Sequence, residues 1–216
     1  MSDVRTITKR GGAPRLRADA SRNRERIVAA AREAFVEYGA EVTLDQIARR
    51  AGVGNATMYR HFADRAELNR QVVLEVLDRV VDLAESAAAD PDPFQALRRF
   101  VHGAAAERVG ALCTTLSGDW QPIAEELVVR RTRLEQAVQA LMDRARTAGL
   151  IRADVAPGDI VIALSQLTRP LPGTGCLALG RFAERHLDIF LDGLRAPARS
   201  VLPGPGATFE DLRPHP

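Results

Sequence analysis

Residues 43–62 constrain this chain most, and they read Thr-Leu-Asp-Gln-Ile-Ala-Arg-Arg-Ala-Gly-Val-Gly-Asn-Ala-Thr-Met-Tyr-Arg-His-Phe. Thr43 and Gln46 have the spacing of a capping box, so a helix is predicted to begin there. Gly52 can adopt the left-handed backbone conformation that ends such a helix. A second short helix is predicted to begin near Gly54 or Asn55. The stretch therefore predicts a helix-turn-helix.

The second helix of this pair has a polar outer face. Met58 and Phe62 are four residues apart and can both face a core. The side chains left near the outer surface are Asn55, Ala56, Thr57, Tyr59, Arg60 and His61. Such a face fits the major groove of DNA, where Asn suits adenine, Arg suits guanine, and Ala or the Thr methyl suits thymine.

Base contact is therefore predicted for four residues of that face: Asn55, Ala56, Thr57 and Arg60. The alternative, that some of them contact only phosphate, is equally compatible with the sequence, because phosphate contacts position a protein without reading bases.

Helices are predicted on both sides of the motif. Ser21 is a candidate N-cap for a helix that runs to about Tyr38, with an apolar stripe that includes Ile27 and Phe35. Asp64 is the candidate cap of a long fourth helix that ends at about residue 89. Three short helices with small apolar faces must pack on one another, because none can bury its stripe alone.

The segment from about Ser21 to Leu83 resembles the DNA-binding domain of the TetR family of transcriptional regulators. The residues that carry the resemblance are Ile27, Ala30, Ala31, Phe35, Gly39, Thr43, Ile47, Ala48, Ala51, Gly52, Val53, Thr57, Tyr59, Arg60, His61, Phe62 and Leu68. The string Thr-x-Tyr-x-His-Phe, followed by a basic residue three positions later, is the most specific part.

The resemblance implies that Thr43, Tyr59, His61 and Arg65 contact DNA phosphates. The alternative for Tyr59 and His61 is partial packing against the small core. Two positions depart from the family pattern: Gly54 replaces the usual Ser or Thr cap, and Arg65 replaces the usual Lys. Glycine costs little at an N-cap, and arginine keeps the positive charge in a forked geometry.

The charge is unevenly distributed along the chain. Residues 1–26 contain eight basic and three acidic side chains, whereas residues 69–216 contain 17 basic and 19 acidic ones. The excess of positive charge therefore lies at the end with the motif, as phosphate binding requires. The alternative is a solvated tail in an arginine-rich protein, since only one of the 30 basic residues is lysine.

The rest of the chain is predicted to be helical, which makes the fold all-α with about nine helices. The eighth helix, which Pro157 opens, is apolar around most of its circumference, so it needs covering on all sides. A partner chain could supply that cover. The resemblance implies that helices 8 and 9 form a four-helix bundle with their twofold mates, so a homodimer would present two recognition helices to a palindromic operator.

The resemblance also places a ligand cavity within the second domain. The candidate pocket residues are Phe94, Phe100, His102, Cys113, Leu116, Trp120 and Gln166. For each of them, ordinary packing in the core or at the surface is the simpler interpretation.

Four segments are predicted in all. They are a basic disordered arm (1–20), the DNA-binding domain (21–83), a helical effector-binding and dimerisation domain (84–195) and a disordered tail (196–216) with five prolines. The chain shows no transmembrane-length apolar run, no metal-ligand spacing and no glycine-rich phosphate loop. We expect a cytoplasmic protein without metal or cofactor.

The function expected from the sequence is that of a dimeric transcriptional repressor that a small-molecule effector releases from DNA. An activator and an effector-independent DNA-binding protein remain as alternatives. An enzyme would need a convergent set of catalytic groups, and Cys113 and His102, eleven residues apart, form no such motif.

Overall fold

A computed structural model describes residues 13–110, 125–169 and 176–212 of the chain. Within these residues it contains eight α-helices and a short 3-10 helix, Gly39–Glu41. The helices are α1 (Ala13–Tyr38), α2 (Leu44–Ala51), α3 (Asn55–His61), α4 (Arg65–Ala87), α5 (Pro93–Ala106), α6 (Glu125–Thr147), α7 (Pro157–Leu167) and α8 (Cys176–Gly193). The predicted all-α fold is confirmed. The predicted eighth and ninth helices are α7 and α8. The sequence also predicts a short helix over residues 111–117, and these residues lie outside the described part of the chain.

The first three helices and the start of α4 form one small core. Ile27 and Phe35 of α1, Ile47 of α2, Met58 of α3 and Leu68 of α4 are all completely or almost completely buried. Phe62, directly after α3, is buried with them. The predicted stripe of α1 and the predicted inner residues of α3 are therefore buried, except for Tyr38 at the end of the α1 stripe, which is 59% exposed. The helix-turn-helix lies on the surface of this core.

Helix α1 begins earlier than predicted, which corrects both its start at Ser21 and the boundary of the disordered arm. Residues 13–20 are helical. The Ser21 hydroxyl donates to Glu25 Oε1 at 2.9 Å, one turn later, instead of capping a helix. The preceding residues are mostly alanine, arginine and leucine, which favour helix, and Pro14 is tolerated in the first turn.

Helix α4 joins the two halves of the molecule. Its first turn packs in the N-terminal core, and its later residues pack along α6. Val80, Val81 and Ala84 of α4 lie in one continuous core with Val138 and Leu141 of α6. Arginines of α6 pair with carboxylates of α4, with Arg130 Nε 2.7 Å from Asp78 and Arg133 Nη2 2.7 Å from Glu85. We call the paired faces of α4 and α6, which carry Asp78, Glu85, Arg130 and Arg133, the α4–α6 seam.

The last two helices bury one side each and expose apolar residues on another. Ile160 and Leu164 of α7 and Leu187 and Leu191 of α8 are buried. Ile189 of α8 is 56% exposed, and Ile162 of α7 is exposed as well. The expectation that the eighth helix, α7, carries apolar residues on more than one face is therefore met within the described residues.

The C-terminal segment is packed and not disordered, which corrects the predicted tail. Residues 196–212, named the C-terminal strap, run back across the loop before α7. Arg152 Nη2, on a side chain that is almost completely buried, donates to the Ser200 carbonyl at 2.7 Å. Ala207 N donates to Asp159 Oδ1 at 3.1 Å, and Phe209 is buried in the core.

Two glycines make this close packing possible. A Cβ at Gly206 would lie 2.8 Å from Ala156 N, and a Cβ at Gly158 would collide with the Ala207 carbonyl. The proline and glycine content that suggested disorder therefore serves a backbone-to-backbone contact.

Candidate nucleic-acid interface

The cap of α2 fixes the entry to the helix-turn-helix. Thr43 Oγ1 accepts from Gln46 N at 3.2 Å, and Thr43 N donates to Gln46 Oε1 at 2.7 Å. This is the predicted capping box, and Thr43 is exposed beside it. Gly52 ends α2 at φ +65°, in the left-handed region. Both ends of α2 therefore have the local structure that the sequence predicted.

Helix α3 is short and presents a polar surface. Met58 and Phe62 are buried, as predicted. Asn55, Ala56, Tyr59 and Arg60 are exposed, and Thr57 and His61 are half-buried. Arg60 Nη2 donates to Thr57 Oγ1 at 3.2 Å, so these two side chains form one polar group on the outer face. The structure thus brings the four predicted base readers together on a seven-residue helix.

The residues predicted to contact phosphate differ in their surroundings. Tyr59 is 53% exposed, so its hydroxyl can reach an external acceptor. Arg65 instead donates through Nη1 to the Val42 carbonyl, and its guanidinium carbon lies 5.3 Å from the centre of the Phe35 ring. Arg65 therefore holds the segment before α2 against α1 and α4, a role that the sequence did not indicate.

Two further arginines near the motif also hold backbone carbonyls. Arg24 Nη1 donates to the His61 carbonyl at 2.7 Å, and Arg26 Nη2 donates to the Ala51 carbonyl at 2.6 Å. Both belong to the segment 1–26, whose excess of positive charge suited phosphate binding. No residue pattern could have shown these bonds, because every residue offers the same carbonyl acceptor.

Comparison with known proteins agrees with this geometry. Residues 27–72 match the family model for bacterial regulatory proteins of the TetR family, and residues 92–196 match the model for the C-terminal domain of SbtR-like transcriptional regulators. The crystal structure of a TetR transcriptional regulator from Streptomyces coelicolor is 32% identical, with a TM-score of 0.61, over 81% of this chain and 99% of that chain. The chain belongs to the TetR family.

Other TetR-family proteins resemble the chain over different lengths. A TetR regulatory protein from Mycobacterium vanbaalenii is also 32% identical, with a TM-score of 0.59, over 84% of this chain and 99% of its own. An HTH-type transcriptional regulator of Staphylococcus aureus strain USA300 is 41% identical over 64 residues, 29% of this chain. That match spans 35% of the length of the Staphylococcus aureus relative.

In this TetR-family chain, the described candidate pocket residues do not form one group. Phe94 lies at the start of α5, with the Arg195 guanidinium 3.8 Å above its ring. At the other end of the same helical region, Gly110 N donates to Thr168 Oγ1, just after α7 and the exposed Gln166. Helix α5, about 20 Å long, separates these two positions. Phe100 is buried in the core.

His102 is the described pocket candidate with the most polar surroundings. Its Nε2 lies 2.9 Å from Asp188 Oδ1 of α8, and Arg98 donates to the same carboxylate at 3.0 Å. The hydrogen bond with His102 and the contact with Arg98 hold the pKa of Asp188 below its ordinary value of 3.8. Cys113, Leu116 and Trp120 lie outside the described residues.

None of the helices in the described part of the chain is both long and apolar enough to span a bilayer. Among the same residues, no three His, Cys, Asp or Glu side chains are grouped as a metal ion would require.

Proposed function

We propose that this protein is a transcriptional repressor that binds a palindromic operator as a homodimer and leaves it when a small molecule binds the second domain. The observation that carries the proposal is the polar outer face of α3, held on a packed three-helix base. Membership of the TetR family supports the same conclusion.

In this proposal α3 lies in the major groove. Asn55, Ala56, Thr57 and Arg60 read base edges, and Thr43, Tyr59 and His61 contact phosphates on either side. Arg65, whose Nη1 donates to the Val42 carbonyl, is proposed as a phosphate contact as well. The sign of regulation follows from where the operator lies relative to the promoter, so repression is the part that a promoter fusion must test.

The direct experiment is binding of the purified protein to DNA that flanks its own gene, followed by footprinting. A protected palindrome supports the proposal. Arg60→Ala and Asn55→Ala should each relax preference at one base position per half-site, at a cost of about 1–3 kcal/mol there. Equal losses at every operator variant would show that the residue only positions the protein.

The dimer is proposed to form through α7 and α8. Ile189 and Ile162 are exposed aliphatic side chains on these two helices, and exposed apolar surface of this kind is typical of an interface. Two copies paired about a twofold axis would cover each other's α7 and α8 and set the spacing of the two α3 helices.

Ile189→Glu tests the dimer, because a charge buried without a partner is costly. We expect sedimentation to report a monomer with weak operator binding. Val201→Glu is the matched control, since Val201 is 94% exposed on the strap. A wild-type protein that is monomeric at micromolar concentration would contradict the proposed assembly.

The effector is proposed to bind in the second domain, with His102 among its contacts. A ligand can release DNA only if it binds the DNA-incompetent conformation more tightly. Linkage then requires operator DNA to weaken ligand binding by the same factor. Candidate compounds can be screened by Trp120 fluorescence and by operator release. A compound that binds equally well with and without operator is not the effector.

A further inference from the structure

Arg24 joins three helices through one guanidinium. It projects from α1, and Nη1 donates to the His61 carbonyl at the end of α3. Nη2 donates to Gln71 Oε1 of α4 at 3.1 Å and lies 3.6 Å from Glu67 Oε1. The guanidinium carbon also lies 4.4 Å from the centre of the Phe62 ring. The side chain is only 36% exposed, so much of its surface is committed to these contacts.

Arg26, two residues later, treats the end of α2 in the same way. Its Nη2 donates to the Ala51 carbonyl at 2.6 Å, and a Cβ at Gly52 would lie 2.8 Å from the same nitrogen. The last carbonyls of a helix have no partner within the helix, and a cation near them is favoured by the helix dipole. Both helices of the motif therefore end on an arginine of α1.

Helix α3 needs an external anchor more than its neighbours do. It has seven residues, and its N-cap is Gly54, which makes no side-chain capping bond. An isolated helix of this length is unstable in water, so its position depends on tertiary contacts. Met58 and Phe62 anchor its inner face, and Arg24 supplies the polar anchor at its C-terminus.

We propose that Arg24 is a positioning residue that fixes the recognition helix against α4, and not a phosphate contact of a basic arm. The inference rests on the proposed DNA-binding function. Because one guanidinium holds both His61 and Gln71, a shift of α4 relative to α1 moves the end of α3 with it. The residue lies before the segment 27–72 that matches the TetR family model, so that match does not account for it.

The distinction between positioning and phosphate contact can be measured with three variants. Arg24→Lys keeps the charge and loses the forked geometry, whereas Arg24→Gln loses both. Arg22→Gln is the matched control, because Arg22 is on the same helix and pairs only with Asp19 one turn earlier among the contacts of the described residues. Each variant is titrated with the footprinted operator at several salt concentrations, and its amide hydrogen exchange is measured over residues 55–62.

If Arg24 positions α3, Arg24→Lys and Arg24→Gln both lower operator affinity, on the order of tenfold, which is the weight of a hydrogen bond made by a charged group. The salt dependence of both stays as in the wild type. Exchange of the α3 amides becomes faster in both and stays unchanged in Arg22→Gln. Gln71→Ala, which removes one of the two α4 contacts of Arg24 and leaves Glu67, should show the same pattern more weakly. It replaces Arg24→Gln should that variant fail to fold.

A phosphate contact gives a different result and overturns the inference. Arg24→Lys would then bind like the wild type, and Arg24→Gln would flatten the slope of log affinity against log salt by about one unit. Unchanged affinity and exchange in both Arg24 variants would overturn it as well. A wild-type protein that binds no operator would refute the proposed function instead, and the exchange measurement would still test the anchor.

Discussion

The recognition unit (α2, α3 and the start of α4) and the α4–α6 seam use arginine in different ways. Around α2 and α3, Arg24 and Arg26 donate to the last carbonyls of α3 and α2, and Arg65 donates to the Val42 carbonyl just before α2. Along the seam, Arg130 and Arg133 pair with carboxylates at the ends of side chains that are partly exposed. The first kind of contact fixes a helix end in one place. The second holds two helices together through groups that can rearrange and that salt can screen.

This difference separates polar contacts that fix the end of a helix from polar contacts that can rearrange. The end of α3 is tied to α4 through Arg24, so α3 and the start of α4 form one unit. The far end of α4 is tied to α6 as well, where Arg144 donates to the carbonyls of Ala88 and Asp90. Between these ends, α4 and α6 share a buried core, and it is only the exposed ion pairs of the seam that can rearrange.

The largest effect is expected at the C-terminal strap. Here too an arginine, Arg152, donates to a backbone carbonyl, that of Ser200. Phe209→Ala removes a ring that is only 7% exposed, and should lower the free energy of unfolding by about 3–4 kcal/mol, the usual cost of such a core deletion. Urea unfolding measures this change. Val201→Ala, at a site with almost full exposure, should unfold like the wild type. Equal stability of the two variants would mean that the strap does not pack in solution.

The next effect concerns Arg65. Arg65→Ala leaves the Val42 carbonyl without its donor and uncovers the Phe35 ring, so we expect a loss of about 1–3 kcal/mol in the free energy of unfolding. The loss should be similar at low and high salt, because the acceptor carries no net charge. A loss that disappears in high salt would show that Arg65 acts as a screened surface ion pair, like the arginines of the seam.

A smaller effect is expected at the seam itself. Arg133→Ala removes an ion pair in which both side chains are about half exposed, so stability should change little at physiological salt. Any difference from the wild type should grow at low ionic strength, where screening is weaker. Thermal unfolding across a salt series measures it. A large loss that is independent of salt would show that the seam is as rigid as the recognition unit.

The smallest effect at neutral pH is expected at Asp188, and it depends on pH. Since His102 and Arg98 lower the pKa of Asp188, its ionised form stabilises the folded state above the ordinary value of 3.8. That contribution is lost as the pH falls through the lower pKa of the folded protein. Asp188→Asn should therefore be less stable than the wild type at neutral pH and equal to it in strong acid. A constant difference across this range would exclude the titration of Asp188 as its cause.

The recognition unit could be predicted from sequence because its signals are local. Each of these signals involves residues close together in the sequence. They are the capping box of Thr43 and Gln46, the left-handed φ of Gly52, and the Asp64 side chain that accepts from Glu67 N. Ser21 shows the limit of the same logic. It has the chemistry of an N-cap, but the helix-favouring residues before it continue the helix, and its hydroxyl bonds within that helix.

The other differences arise from contacts between distant residues. The carbonyl acceptors of Arg24, Arg26 and Arg65 carry no residue-specific signal, so charge alone suggested phosphate binding for Arg24 and Arg26. The strap has a composition typical of disorder, and it packs through contacts with residues far away in the sequence, among them the close approach of Gly206 to Ala156. Among the pocket candidates, residue type alone could not show that Phe94 and Gln166 lie near opposite ends of α5.

The C-terminal strap also affects how changes in the gene should be judged. A stop codon after position 196 would remove fewer than one residue in ten, all from a segment that composition marks as dispensable. It would also remove the carbonyl held by Arg152, the backbone donor to Asp159 and the buried ring of Phe209. Such an allele would behave as a loss of the regulator, and in a strain that carries it the controlled genes would be expressed as though the whole gene had been deleted.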